Sequence, residues 1–261
     1  MEDLMRAARP YRPKSQPRRV LLLKLICVFA VCSLAVLLLR TSSLGAFLTE
    51  GESSPGLDAP FIDQRENYPT GCESVTAVMA LGWAGVDISV EEFIDWYLPQ
   101  GEAPHCDESG ALVGADPFQK FLGSPYSEEG WGCYAPVIAG AVEQVLEDRG
   151  ITRLEVRLLE GRELSALSRD YLDRQVPVMV WATIGMEPPV ESTEFFLEDT
   201  GELFTWIYPL HCLLLTGEDE DYYYFNDPLA GKNTPYPKEQ VEAAYQGVGM
   251  QAVALVPAEE P

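Results

Sequence analysis

The chain has 261 residues, 47% of them hydrophobic and 23% charged, which is enough apolar material for one or two domains with a core and excludes disorder throughout. Its 41 acidic and 18 basic residues give a net charge of −23, but the two ends oppose each other: residues 1–40 carry eight Lys and Arg against Glu2 and Asp3, while the other 221 residues hold 39 acidic and 10 basic side chains. A body that negative repels phosphate backbones and anionic membrane surfaces, which argues against nucleic acid as its partner.

The charge break coincides with an apolar run. Residues 20–39 read VLLLKLICVFAVCSLAVLLL, which as a helix rises about 30 Å, the thickness of a hydrocarbon core. Lys24 interrupts it one turn from the basic end, where its long side chain reaches the interface. Basic residues before the span and an acidic body after it predict a cytoplasmic N-terminus and an extracytoplasmic domain. A cleaved signal peptide is the competing reading, with small residues at Ser43, Gly45 and Ala46 near a cut; the run is longer than the usual h-region of about 7–15 residues, which favours an uncleaved anchor. The expected organisation is a basic tail (1–19), a transmembrane signal anchor (20–40), a small, polar stalk (41–56), a globular domain (57–257) and a short tail (258–261).

Within the globular part, helical signals come first and strand signals last, which predicts an α+β arrangement rather than alternating βαβ units. Residues 72–83 carry Val75, Val78 and Met79 at helical spacing, with Gly82 and Gly85 available to end the helix. Ser89 and Glu92 form a capping box ahead of a helix that shows Phe93, Trp96 and Tyr97 on one face. A third helix starts near Pro136 and runs through Ile138, Val142, Val145 and Leu146 to Gly150. A fourth, 163–174, presents Leu164, Leu167 and Tyr171. The segment 186–201, with Pro188 and Pro189, reads as an irregular loop over a cleft. Strands are predicted at 176–183, 203–207, 211–217, 222–226 and 251–256, with a short helix at 238–245. The acidic run 218–221 lacks the alternating ligands and central Gly of a calcium loop and reads as a solvated hairpin turn.

His105 and His211 are the only imidazoles, so a His-rich metal site cannot be built, and acid/base work near neutral pH falls on one of them. His211 opens an apolar strand, and sixteen residues later the hairpin return brings Asn226 and Asp227. Adjacent antiparallel strands can set either beside the ring, where a carboxylate would orient the imidazole.

Six cysteines divide by context. Cys27 and Cys32 fall in the apolar span; Cys72, Cys106, Cys133 and Cys212 lie beyond it. Cys72 follows Gly71 and starts an amphipathic helix, where free backbone N–H groups and the helix dipole favour a thiolate. Cys212 adjoins His211 on a strand and faces the other side, which makes it structural. Cys106 and Cys133 sit in loops and are read either as free thiols or as a pair. A zinc site from His105, Cys106 and Cys133 lacks the CxxC spacing that would support it.

Gln64, the run Pro69-Thr70-Gly71-Cys72-Glu73, Gly130 to Pro136, Pro177 to Trp181, His211 and Asn226-Asp227-Pro228 together resemble the papain-like cysteine peptidases related to the bacteriocin double-glycine-leader processing peptidases. The resemblance covers nearly all of 57–256 and implies a papain-like fold with Cys72 as nucleophile, His211 as base, Asp227 as orienting acid, Asn226 as the alternative third member, and Gln64 as oxyanion-hole donor. Trp131 and Trp181 lie in family-like segments and are candidates for the substrate groove. In that family the Gln stands closer to the Cys, and Gly usually follows the Cys; here eight positions separate Gln64 from Cys72, and Glu73 comes next. This pattern resembles a stand-alone, membrane-anchored branch.

The function implied is an extracytoplasmic thiol protease acting on a peptide or protein substrate, without a metal or other cofactor, and attached to the membrane through its N-terminal helix. Two other classes share these residues: an inactive papain-like binding module at the membrane surface, and a thioester-forming acyl or peptidyl transferase in which an amine replaces water.

Overall fold

The computed structural model describes residues 56–258. The expected basic tail, anchor and nearly all of the stalk lie outside the described residues, and among those described no helix is long and apolar enough to cross a membrane.

Among the described residues there are five α-helices: α1 (Cys72–Trp83), α2 (Val90–Trp96), α3 (Ala135–Asp148), α4 (Leu164–Asp170) and α5 (Lys238–Gly247). The strands are β1 (Gln100–Gly101), β2 (His105–Cys106), β3 (Leu112–Gly114), β4 (Phe121–Leu122), β5 (Leu154–Glu160), β6 (Val178–Thr183), β7 (Val190–Leu197), β8 (Leu203–Tyr208), β9 (Leu210–Glu218), β10 (Tyr222–Asp227), β11 (Gly231–Pro237) and β12 (Gln251–Pro257). Six of them form one antiparallel sheet in the order β11-β10-β9-β6-β12-β5; β2, β3, β7 and β8 form a second sheet, and β1 pairs with β4.

The six-stranded sheet is covered on both faces. Met179 and Trp181 of β6, Cys212 and Leu214 of β9, and Val253 and Leu255 of β12 pack in a core with α1, α2 and α3. Their alternate neighbours, Val178 and Val180, Leu213 and Leu215, and Ala252 and Ala254, pack in a second core with α4 and α5. A strand buried on both faces reads as a continuous apolar run, which is why β6 and the middle of β9 show no polar alternation.

The expected α+β class holds. Helix α1 has the expected bounds, and α3 buries Ile138, Val142, Val145 and Leu146. At α2 the Ser89 hydroxyl accepts from the Glu92 N–H at 3.0 Å, but the Glu92 carboxylate turns to Arg149 at 2.6 Å instead of back to Ser89. The expected shared face of α2 is corrected: Phe93 and Ile94 are buried while Trp96 is 75% exposed. The helix expected over 163–174 breaks at Tyr171, with a 3-10 turn at Leu172–Arg174 after it. The segment expected as an irregular loop, 186–201, holds β7, paired with β8 from Val190–Tyr208 to Phe196–Leu203. Its alternation VESTEFFL is masked by the flanking prolines and by a register shift between Glu191 and Glu194. Strands β5 and β11 were not expected; β5 is an edge strand whose residues are mostly partly or fully exposed, so it lacks the buried alternation that marks a strand. The acidic run is a turn between β9 and β10, closed by Asp219 Oδ1, which accepts from the Asp221 and Tyr222 N–H groups.

Candidate active site

Three pieces of chain meet in one cleft of about 570 Å³ whose lining includes Gln64, Cys72, Trp131, Trp206 and His211. The first is the loop before α1. Gln64 is 1% exposed, and its Nε2 donates to the Pro69 carbonyl at 3.1 Å. An amide nitrogen carries two hydrogens, and that bond uses one of them. The Gln64 backbone N–H in turn donates to the Pro228 carbonyl at 3.2 Å, tying this loop to the end of β10.

The second piece is the start of α1, where Cys72 is the first helical residue after Gly71. Its backbone N–H is one of those that a helix leaves without an internal acceptor. The thiol donates to Glu73 Oε2 at 3.2 Å, and among the described residues there is no hydrogen bond between Cys72 and His211. The thiolate expected from the helix dipole is corrected: burial foremost, then the neighbouring Glu73 and Cys212, push the Cys72 thiol well above its usual range, against a hydrogen bond from the Cys212 main chain. Desolvation disfavours the charged form of a thiol.

The third piece is the β9–β10 hairpin. His211 Nε2 lies 2.8 Å from Asp227 Oδ1, with both side chains buried. Asp227 Oδ1 also accepts from the Leu229 N–H at 2.8 Å, and Oδ2 accepts from the Tyr236 hydroxyl at 2.6 Å. Burial raises the Asp227 carboxyl, but the hydrogen bond and charge of His211, with Tyr236 and Leu229, outweigh it and hold the group below its usual range. With Nε2 engaged, Nδ1 is the nitrogen left to exchange a proton. Asn226 points the other way: its Nδ2 donates to the carbonyls of Ala59 and Pro60 at 3.2 and 2.9 Å, and its Oδ1 accepts from Asn233 N–H at 3.0 Å. Adjacent residues of a strand face opposite sides, and here one serves the imidazole and the other the chain entry.

The two tryptophans part company. Trp131 lines the cleft, edge-on to Trp206 with ring centroids 5.5 Å apart. Trp181 as a groove residue is corrected: it is fully buried, and its Nε1 donates to the Cys133 carbonyl at 2.8 Å. Trp206, Ile184, Tyr208 and Leu210 complete the apolar wall. Sequence reasoning missed them because they come from the stretch around β7 and β8, whose pairing was not legible. Cys106 and Cys133 are both free thiols, the first exposed and the second buried, so they are not joined.

A thiol, an imidazole and an amide lining one cleft, with a buried carboxyl against the imidazole, form a set suited to nucleophilic attack on a carbonyl. A family model described as Peptidase_C39 like family matches residues 56–253. The chain belongs to that family. Among curated proteins it is similar to the uncharacterized protein YvpB of Bacillus subtilis (strain 168), at 28% identity over 185 residues, covering 71% of this chain and 68% of YvpB. The fold is that of a crystal structure from Bacillus anthracis described as a C39-like peptidase, at 22% identity and a TM-score of 0.66, covering 78% of this chain and 96% of that one. The peptidase domain of Streptococcus ComA, a bi-functional ABC transporter involved in a quorum sensing pathway, is 14% identical with a TM-score of 0.43, covering 76% of this chain and 98% of that domain.

Proposed function

We propose that this member of the Peptidase_C39 like family is an extracytoplasmic cysteine peptidase that hydrolyses peptide bonds through Cys72, His211 and Asp227, with Gln64 as oxyanion donor. The observation that carries the reading is the 2.8 Å contact of His211 Nε2 with Asp227 Oδ1 beside a cleft that also holds Cys72 and Gln64.

The Cys72 proton passes to His211 Nδ1, and Asp227 stabilises the imidazolium through Nε2. The thiolate attacks the peptide carbonyl; the oxyanion takes hydrogen bonds from the free Gln64 amide hydrogen and the Cys72 backbone N–H. His211 then gives its proton to the leaving amine, and water hydrolyses the thioester with His211 as base. The apolar wall of Trp131, Trp206, Ile184 and Tyr208 suits an extended peptide with apolar side chains beside the scissile bond.

The experiment is digestion of a peptide library by the full chain in detergent, with and without amine acceptors, alongside Cys72→Ala. Cleavage lost in Cys72→Ala supports the peptidase. Peptides joined to the acceptor instead of water mark a transferase, and an intact library marks a binding module. The location rests on the basic residues 1–40 against the acidic remainder: protease added to intact cells should release fragments of the acidic domain, and cutting only after lysis would reverse the orientation.

A further inference from the structure

Glu73 is a buried carboxyl in contact with the reactive sulfur, and the mechanism above does not use it. It is 1% exposed; Oε2 lies 3.2 Å from Cys72 Sγ, and Oε1 accepts the Cys133 N–H at 2.8 Å. The loop before α3 is shaped around it: Gly132 has φ +115°, and a Cβ there would lie 2.5 Å from Glu73 Oε1. No Lys or Arg pairs with it among the described residues. The titratable groups that face it are Cys72 on its own helix, Cys133 from that loop, and His211 and Cys212 from β9. A buried carboxylate without a cation is costly.

We infer that Glu73 is a proton-operated control on the nucleophile: ionised, it accepts a hydrogen bond from the Cys72 thiol and holds the sulfur neutral and turned from His211; protonated, it donates to the sulfur and supports the thiolate. The inference rests on Cys72 being the nucleophile. Its proton balance is simple. In the ionised state one proton, on sulfur, is shared with Glu73. Uptake of one proton from solvent converts Glu73 to a donor, and the sulfur proton moves to His211 Nδ1, which leaves a thiolate flanked by an imidazolium and a carboxylic acid. Burial, opposed by the hydrogen bonds to Cys133, to its own main chain and to Cys72 and by the charge of His211, raises the Glu73 carboxyl above its usual range. A free thiol becomes more reactive as pH rises; Cys72 gains reactivity as pH falls through the Glu73 titration.

The test is the rate of Cys72 alkylation by iodoacetamide in the full chain as a function of pH, read by mass spectrometry of the Cys72 peptide so that the exposed Cys106 does not interfere. In the wild type the rate should fall between mildly acidic and neutral pH. In Glu73→Gln, whose amide keeps both contacts and donates at every pH, the fall should vanish and the neutral rate should rise about tenfold or more, which is one unit in the thiol pKa. A wild-type rate that climbs steadily with pH overturns the inference without any variant, and so does an unchanged or slower neutral rate in folded Glu73→Gln. Labelling reads the sulfur and not turnover. An intact peptide library with the labelling shift present sinks the peptidase reading alone, and library cleavage without the shift sinks only the role of Glu73.

Discussion

Asn226 and Asp227 are neighbours with opposite duties, and substituting each by Ala should separate stability from turnover. Asn226→Ala leaves the buried carbonyl of Ala59, the carbonyl of Pro60 and the N–H of Asn233 without their partner. At a net of about 1 kcal/mol for each lost hydrogen bond, and more where the orphaned group stays dry, the cost is about 3 kcal/mol. For a domain of roughly 200 residues that lowers the thermal midpoint by about 6–12 °C. The imidazole does not contact Asn226, so turnover per folded molecule should stay within about threefold of wild type. Asp227→Ala removes the acceptor of His211, Tyr236 and the Leu229 N–H together. The imidazole then loses its tautomer and its counter-charge, and turnover should fall by about 10³–10⁴-fold. The assay is single-turnover acylation on a peptide recovered from the library digest, at a temperature where calorimetry finds both variants folded. Severe loss in folded Asn226→Ala with near-normal Asp227→Ala would refute the reasoning, because the hairpin register would then be one residue off.

Asp227 and Glu73 should bend the stability curve in opposite directions. The Asp227 carboxyl is depressed in the fold, so its contribution is present above the unfolded value of about 3.9 and is lost as pH falls through the folded one; the stability gap between wild type and Asp227→Asn should close in acid. The Glu73 carboxyl is raised, so its contribution is present below the unfolded value of about 4.3 and is lost as pH rises through the folded one; Glu73→Gln should gain on wild type toward neutral pH. Urea midpoints across that range check both, and parallel curves would contradict the burial argument. The tryptophans give a second contrast. Trp181→Ala should cost about 3–5 kcal/mol by emptying the core, whereas Trp131→Ala should leave the midpoint within a few degrees and raise KM for the cleaved peptide; the reverse pattern would exchange their places.

The sequence by itself determined the helices that carry period and caps, α1 and α3 above all, because apolar spacing and a Pro or Gly at the right end are local signals. It also determined that Cys72 starts a helix and that His211 lies one hairpin from Asn226 and Asp227. It could not say which of those two neighbours meets the ring, since alternation allows either register; the β9–β10 pairing, with its shift between Tyr224 and Phe225, decided that. Nor could it divide Trp131 from Trp181, because a strand buried on both faces has no polar side to show which way a residue points. The contact of Glu73 with Cys72 was decided by tertiary structure as well. Glu73 next to Cys72 reads as the acidic first turn of a helix, and only the Cys133 loop closing over it, with Gly132 making room, turns a solvated charge into a buried carboxyl against the sulfur.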